Sequence, residues 1–272
     1  MMLETQRHNL ICDLLEEHGT VSIKLLVDEI GASEATLRRD LIKLAEKGAL
    51  RQVRGGATLA LEEESIRRRR HLAGSAFLAN LEREIDAKRA IAVCAAGLCA
   101  DGEAIIINGG STTFHMGAFL RHHTLSILTN SLALGVDLIE NSNNRVIFPA
   151  GEAHRKLSFI LNPLEDSVTD AFRASKYFLS ACAVSARGVM EADPLVARAE
   201  QRLATQADEI VLLVDATKIG RNSSYAAFDL SQIDKVITDD RIKESDLKTF
   251  KDHGVEVLIA RGGVSSSAER SA

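Results

Sequence analysis

The chain has 272 residues, 46% apolar and 26% charged, with a formal net charge of -5 and no tryptophan. That balance excludes a disordered or fibrous polypeptide, and the length implies two domains. The scarcity of aromatic rings argues against a ring-lined carbohydrate platform. No apolar run reaches the ~18 residues needed to span a bilayer, and Met1–Gly19 lacks the basic-then-apolar layout of a signal peptide. The expected compartment is the cytoplasm, with no membrane partner.

The four cysteines (Cys12, Cys94, Cys99, Cys182) form no Cys-x-x-Cys pair and have no histidine at zinc-ligand spacing, and His122-His123 stands isolated. They read as reduced, partly buried side chains, so neither disulfide, metal nor cofactor is expected. Charge is more informative once divided. Residues 1–75 carry equal numbers of basic and acidic side chains, so the whole deficit lies in the remainder. Within residues 33–56, Arg38, Arg39, Lys43, Lys47, Arg51 and Arg54 outnumber Glu34, Asp40 and Glu46. Nucleic-acid binding needs only such a local basic footprint.

Three helical patterns precede residue 50. Glu4 to Glu17 carries Leu10, Ile11, Leu14 and Leu15 on one face and ends at His18-Gly19. A second helix opens at Ser22, a natural N-cap, and stops at Gly31, where the chain needs a residue tolerant of positive φ. A third opens at Ser33. At about 100° per residue, its Leu37, Leu41 and Leu44 fall within about 60° of each other and face a core. Ala35, Arg39 and Lys43 then face outward, flanked by Thr36 and Arg38. Small residues near a helix start permit close approach to a groove, and a hydroxyl and arginines reach phosphates or base edges. Ala49–Val53 reads as a strand and Arg54-Gly55-Gly56-Ala57 as a turn into a second, a basic-tipped wing. A solvated three-helix module with surface arginines would carry the same periodicity. The DNA-contact candidates are Ser22, Ser33, Ala35, Thr36, Arg38, Arg39, Lys43, Arg51 and Arg54.

The string Ser33-Glu-Ala-Thr-Leu-Arg-Arg-Asp-Leu41, with Leu44, Lys47-Gly-Ala-Leu50 and Arg54-Gly-Gly-Ala57, closely resembles the signature of the DeoR family of bacterial sugar-metabolism regulators. The resemblance implies a winged helix-turn-helix and a double-stranded DNA operator as partner.

Leu59 to Leu81 is charged and poorly periodic, with Glu62–Glu64 followed by Arg67–Arg70. It reads as a solvated linker rather than a further phosphate contact, because the acidic block offsets the arginines. From about Asp86 helices alternate with short apolar runs, the pattern of an α/β domain with a mostly parallel sheet. Lys88–Ala100 reads as a helix and Glu103–Asn108 as a strand, emptying through Gly109-Gly110-Ser111-Thr112-Thr113 into a second helix. Glycines, hydroxyls and a helix start can cradle a phosphate, although the same string is also a good turn and cap. Thr129-Asn130-Ser131 and Gly151 follow the next two strands and are expected at the same sheet edge. Tyr177–Val184 reads as a buried strand, Leu195–Gln206 as a helix, and Glu209–Val214 as a strand leading to Asp215-Ala-Thr-Lys218-Ile-Gly220. Lys218 could hold a phosphate or pair with Asp215.

The glycine-serine-threonine loop, the threonine-asparagine pair and the aspartate-x-x-lysine-x-glycine motif resemble, in order, the sugar-phosphate sensor domain of the same family. That domain is similar to ribose-phosphate isomerases, so the resemblance implies that fold and a phosphorylated sugar effector. Asn108 departs from the family's usual aspartate, and Ala150-Gly151 from its Gly-Gly pair. The effector candidates are Asn108, Gly109, Gly110, Ser111, Thr112, Thr113, Thr129, Asn130, Ser131, Gly151 and Lys218.

The expected organisation is a winged helix-turn-helix (α+β) over 1–58, a linker over 59–81, a larger α/β domain over 82–260 and a disordered tail over 261–272. The expected function is a repressor, acting as a homodimer or tetramer and released by a phosphorylated sugar. The competing reading is a sugar-phosphate isomerase whose base would come from Asp86, Asp101, Glu103, Glu152, Asp193 or Glu200, none of which carries a recognisable isomerase signature.

Overall fold

A computed structural model describes residues 4–18, 20–46, 49–53, 55–59, 75–162 and 168–261. The chain divides into two compact units, Met1–Arg70 and His71–Ala272. The proposed wing-tip Arg54, the charged blocks 62–64 and 67–70 and the tail from 262 onward lie outside the described residues.

The first unit comprises α1 (Glu4–His18), β1 (Thr20–Ser22), α2 (Ile23–Ile30), α3 (Glu34–Glu46), β2 (Leu50–Val53) and β3 (Gly56–Leu59). Its helix boundaries follow from side-chain chemistry. Ser22 Oγ accepts the Leu25 N–H, and Ser33 Oγ accepts that of Thr36 at 3.3 Å. Gly31, at φ +69°, closes α2 with its N–H on Val27 O. The predicted leucines Leu37, Leu41 and Leu44 are buried with Ile11, Leu15, Leu26 and Ile30. The sheet runs β1-β3-β2, one strand more than the sequence suggested. Three residues are too few to show a period, and β1 is held by pairing Val21 with Ala57. A Cβ on Gly56 would lie 2.0 Å from Val21 O, so the strands can approach only over a glycine.

Asp40, counted in the sequence only as one of the acidic residues of this stretch, is buried. Its carboxylate accepts from Arg7 Nε at 2.8 Å and Nη2 at 3.2 Å, with His8 Nε2 at 3.3 Å, and so ties α3 to α1. Burial pushes the carboxyl up, but the hydrogen bonds from Arg7 and His8 outweigh it and hold the pKa below the ordinary aspartate value. This contribution to stability is therefore complete above the unfolded pKa and is lost as pH falls through the lower folded value. Asp40→Ala should destabilise this unit by about 2 kcal/mol, lowering its melting temperature by roughly 10 °C. Thermal unfolding followed by circular dichroism at neutral pH checks this; an unchanged transition would contradict it.

The second unit opens with α4 (Ala76–Leu81) and α5 (Ile85–Ala96). The expected linker is therefore too long at its C-terminal end: Phe77 and Leu81 are buried against Ala133, and Ser75 caps α4 by accepting from Leu78 N–H. The helix expected from Lys88 begins earlier, at Ile85. Seven parallel strands follow in the order β15-β14-β12-β9-β4-β5-β6. They are β4 (Ala104–Ile107), β5 (Ser126–Thr129), β6 (Arg145–Ile147), β9 (Ala174–Leu179), β12 (Ala207–Leu213), β14 (Lys235–Asp239) and β15 (Glu256–Ala260). Alternate residues enter two cores. Ile105, Ile107, Ile127, Phe178 and Leu213 pack on one face, and Ile106, Leu128, Tyr177, Leu179 and Leu212 on the other. Burial on both faces is why these strands read as unbroken apolar runs.

Helices α6 (Ser111–Phe114), α7 (Leu132–Asn141), α8 (Pro194–Ala204) and α9 (Glu244–Asp252) connect them. The long strand expected over Tyr177–Val184 is two elements, β9 and β10 (Ala183–Ser185), because Ser180 leaves the sheet to pair with Asn108. β10 joins β11 (Gly188–Glu191) and β13 (Tyr225–Phe228) in an antiparallel sheet that periodicity did not reveal. A hairpin of β7 (Glu152–His154) and β8 (Phe159–Leu161) was likewise missed. Among the described residues, no helix is long and apolar enough to cross a membrane.

Candidate functional site

In the first unit, α3 buries its leucines and exposes Ala35, Arg38, Arg39 and Lys43, with Thr36 half-buried. These residues do not stand equally ready for a polyanion. Arg39 is exposed and has no ion-pair partner among the described residues. Arg38 donates Nε and Nη2 to Glu34 Oε1 at 2.9 and 2.6 Å. Lys43 Nζ donates to both oxygens of Glu4 at 2.8 and 2.9 Å. Such exposed pairs contribute little, so a phosphate can displace the carboxylate. Ser33 and Thr36 share a hydroxyl hydrogen bond of 2.8 Å at the start of α3, and Ser22 is an exposed cap. Arg51 is exposed on β2. Ligand atoms of Glu4, His8 and Asp40 lie within 4.8 Å of one another, the spacing of a metal site. Arg7 and Lys43 already occupy their carboxylates, which argues against a cation there.

In the second unit, the carboxyl ends of β4, β5, β9 and β12 share one sheet edge, as expected for a ligand crevice. The loops after β4 and β5 are tied directly: Gly109 N–H donates to Asn130 Oδ1 at 2.8 Å. β8 lies over both, with Ile160 N–H on Asn130 O and the Phe159 ring against Gly109. A Cβ on Gly109 would fall 1.6 Å from that ring, and one on Gly110 1.8 Å from Ser180 Oγ. The two glycines therefore make room for Phe159 and Ser180 and are not set aside for the backbone to meet a ligand. Gly151, at φ +150° and crowded by Leu161 O, shapes the entry to the hairpin.

The candidate effector residues separate by whether their polar atoms are already used. Asn108, fully buried, accepts the Ser180 N–H and donates to Ser180 O and Glu200 Oε1 at 2.8–2.9 Å. Thr113 Oγ1 donates to Asn108 O, Thr129 Oγ1 accepts Ser131 N–H, and Ser131 Oγ caps α7 on Leu134 N–H. These four build the crevice. Thr112 Oγ1 and Asn130 Nδ2 are buried with no hydrogen-bond partner among the described residues, each a cost of about 1–3 kcal/mol unless a ligand or water meets it. Ser111 sits beside them with its hydroxyl uncommitted among the described residues.

Two lysines complete the edge. Lys218 Nζ donates to Ala181 O at 2.6 Å. Its pairing with Asp215 does not form, because that carboxylate accepts from the N–H and hydroxyl of Thr217. Lys88 was missed by sequence reasoning. It is only 2% exposed and donates to Asn80 O; burial first, and then the charge of Lys218, brings its pKa down to about 8. A lysine in the first turn of an amphipathic helix gives no sequence signal of burial.

Of the carboxylates weighed as a catalytic base, Asp86 and Glu152 are exposed, and Asp101 accepts from Thr124 N–H. Glu103 pairs with Lys176, and Asp193 caps α8. Glu200 alone is buried at the strand edge. Burial, followed by the charge of Glu191, holds its pKa well above the ordinary glutamate value, although the Asn108 hydrogen bond acts the other way.

Residues 7–63 match the DeoR-like helix-turn-helix domain, and residues 83–240 match the DeoR C-terminal sensor domain. The HTH-type transcriptional regulator UlaR of Shigella dysenteriae is 33% identical over 257 residues, 94% of this chain and 99% of that protein. UlaR of Escherichia coli O1:K1 matches with the same identity and coverage. Ribose 5-phosphate isomerase A of Methanocaldococcus jannaschii superposes with a TM-score of 0.37 at 18% identity, over 48% of this chain and 53% of that one. The eIF2B beta subunit of Chaetomium thermophilum gives 0.40 at 15% identity, over 62% and 54%. These two likenesses span about half of each solved chain and are too partial to bear on function.

Proposed function

The chain belongs to the DeoR family, and from that premise we propose that it is a DNA-binding transcriptional regulator, a repressor released from its operator by a phosphorylated sugar. The observation that carries the reading is the face of α3: its leucines are buried, its Arg39 is exposed and without an ion-pair partner among the described residues, and its start is small enough to enter a major groove. The DNA contacts would come from Ser22, Ser33, Ala35, Thr36, Arg38, Arg39, Lys43, Arg51 and Arg54. Double-stranded DNA is the macromolecular partner.

The effector would bind at the carboxyl edge of the second sheet. Thr112 Oγ1, Asn130 Nδ2, the Ser111 hydroxyl and Lys218 offer donors to a phosphate, while Asn108, Gly109, Gly110, Thr113, Thr129, Ser131 and Gly151 hold the loops in place. Release requires that the effector bind the DNA-incompetent state more tightly by the coupling free energy it exerts. Operators read by such domains are repeated, so the acting species is a homodimer or tetramer, in the cytoplasm. The protein performs no catalysis. In vitro selection of DNA with the full chain tests the first half of this reading: enrichment of a repeated sequence supports it, and salt-insensitive, sequence-indifferent retention counts against it. Incubation with pentose and hexose phosphates tests the other, since turnover would establish an enzyme.

A further inference from the structure

We propose that Glu191 is a positioning residue for the effector's phosphate contact: acting through the peptide between Ala181 and Cys182, it holds Lys218 at the crevice without pairing with it. The inference rests on the effector site proposed above. Lys218 Nζ donates to Ala181 O at 2.6 Å, and the N–H of the next residue, Cys182, donates to Glu191 Oε1 at 2.9 Å. That carbonyl and that N–H belong to one peptide group. In a trans peptide they point opposite ways, so the ammonium and the carboxylate stand on opposite flanks of it. Charge at each end polarises the peptide and strengthens both hydrogen bonds.

Glu191 is built into this place. It is only 6% exposed, and its second oxygen accepts from Cys182 Sγ at 3.1 Å. Burial, followed by the charge of Glu191, pushes the Cys182 thiol up to about 12, so the sulfur keeps the proton that it donates. Neither Glu191 nor Lys218 has an ion-pair partner among the described residues. A direct pair between them would have to break before the ammonium met a phosphate. A shared peptide keeps the lysine in place and its charge available.

The surrounding backbone supports the same role. The exit of β9 is fixed residue by residue: Asn108 engages the N–H and C=O of Ser180, Lys218 the C=O of Ala181, and Glu191 the N–H of Cys182. The antiparallel sheet of β10, β11 and β13 brings these groups together. Pairing of Ala183 with Met190 sets Cys182 beside Glu191. On the other side of β10, Val184 bridges Ile219, and its carbonyl accepts the Gly220 N–H at 2.8 Å. The backbone just after Lys218 is therefore docked on the strand whose entry carries Ala181 O, and the sheet acts as the scaffold of the lysine.

Calorimetry of the full-length protein with inorganic phosphate, at fixed pH and salt, measures the effect. Glu191→Met leaves the Cys182 N–H without its acceptor and should weaken phosphate binding by about tenfold. Glu191→Asp keeps the charge but is one methylene shorter and draws back from the N–H, so it should lose a similar amount. Glu191→Gln keeps an acceptor at the same reach and should bind within about threefold of wild type. The expected order follows reach rather than charge. Should the methionine variant not fold, aspartate against glutamine decides. Wild-type affinity in the methionine and aspartate variants, or a glutamine variant as weak as the aspartate one, would overturn the role of Glu191. Loss of binding in Lys218→Met beside either of those results would leave the effector site standing. Absence of phosphate and sugar-phosphate binding by the wild type would overturn the effector site itself.

Discussion

Replacing Arg39 and Lys43 together with alanine is expected to weaken binding to a selected operator by about a hundredfold or more, with the fold intact. An arginine at a base edge or phosphate contributes about 1–3 kcal/mol, and a lysine on a phosphate acts through counterion release. Both side chains are exposed and neither supports the core, so thermal unfolding should be unchanged. Arg39 should carry more of the loss, because Lys43 must first leave Glu4. Each phosphate contact removed should lower the slope of log affinity against log salt by about 0.9. Gel shifts at three salt concentrations read both quantities. Wild-type affinity and slope in the double variant would remove α3 as the DNA-reading element.

Asn108→Asp, which restores the residue usual in the family, is expected to destabilise the second unit by about 3 kcal/mol at neutral pH. The amide donates to Ser180 O and to Glu200 Oε1. A carboxylate there presents an acceptor to two acceptors, in a fully buried place. The effect should depend on pH. Glu200 already binds its proton more tightly folded than unfolded, so stability declines as pH rises above the ordinary glutamate range. A second carboxyl beside it makes that decline steeper, and near pH 5 the two could share a proton and recover part of the loss. Denaturant unfolding at pH 5, 7 and 8.5 checks this; an equal or more stable variant at pH 8.5 would show that Asn108 does not hold Ser180 and Glu200 as described.

What could be read from the sequence was what local chemistry determines. The Leu37, Leu41 and Leu44 stripe, the Ser22 and Ser33 caps and Gly31 depend on residues within one turn, and each emerged as expected. The parallel strands declared themselves through runs such as Ile105–Ile107, buried on both faces. The features missed depend on distant partners. β1 exists because Gly56 admits Val21, Asp40 is buried because Arg7 meets it from α1, and Phe159 covers Gly109 from a hairpin 50 residues on. The candidate effector loop was expected for a reason that needs revision. Its glycines accommodate Phe159 and Ser180, and its candidate recognition lies in Thr112, Asn130 and Lys218. Asn108 was marked as a departure from the family's usual aspartate; its polar atoms are spent on Ser180 and Glu200, so its effect on any ligand is through loop position.

One chain is expected to couple an operator to a phosphorylated sugar. The most direct measurement is operator affinity of the full-length protein, by fluorescence anisotropy at fixed salt and pH, against a panel of sugar phosphates and their unphosphorylated parents. At least one phosphorylated sugar is expected to weaken operator binding by about 10- to 100-fold, the range of ordinary coupling free energies, while its parent sugar has no effect. An operator affinity indifferent to every sugar phosphate, or altered equally by phosphorylated and parent sugars, would contradict it.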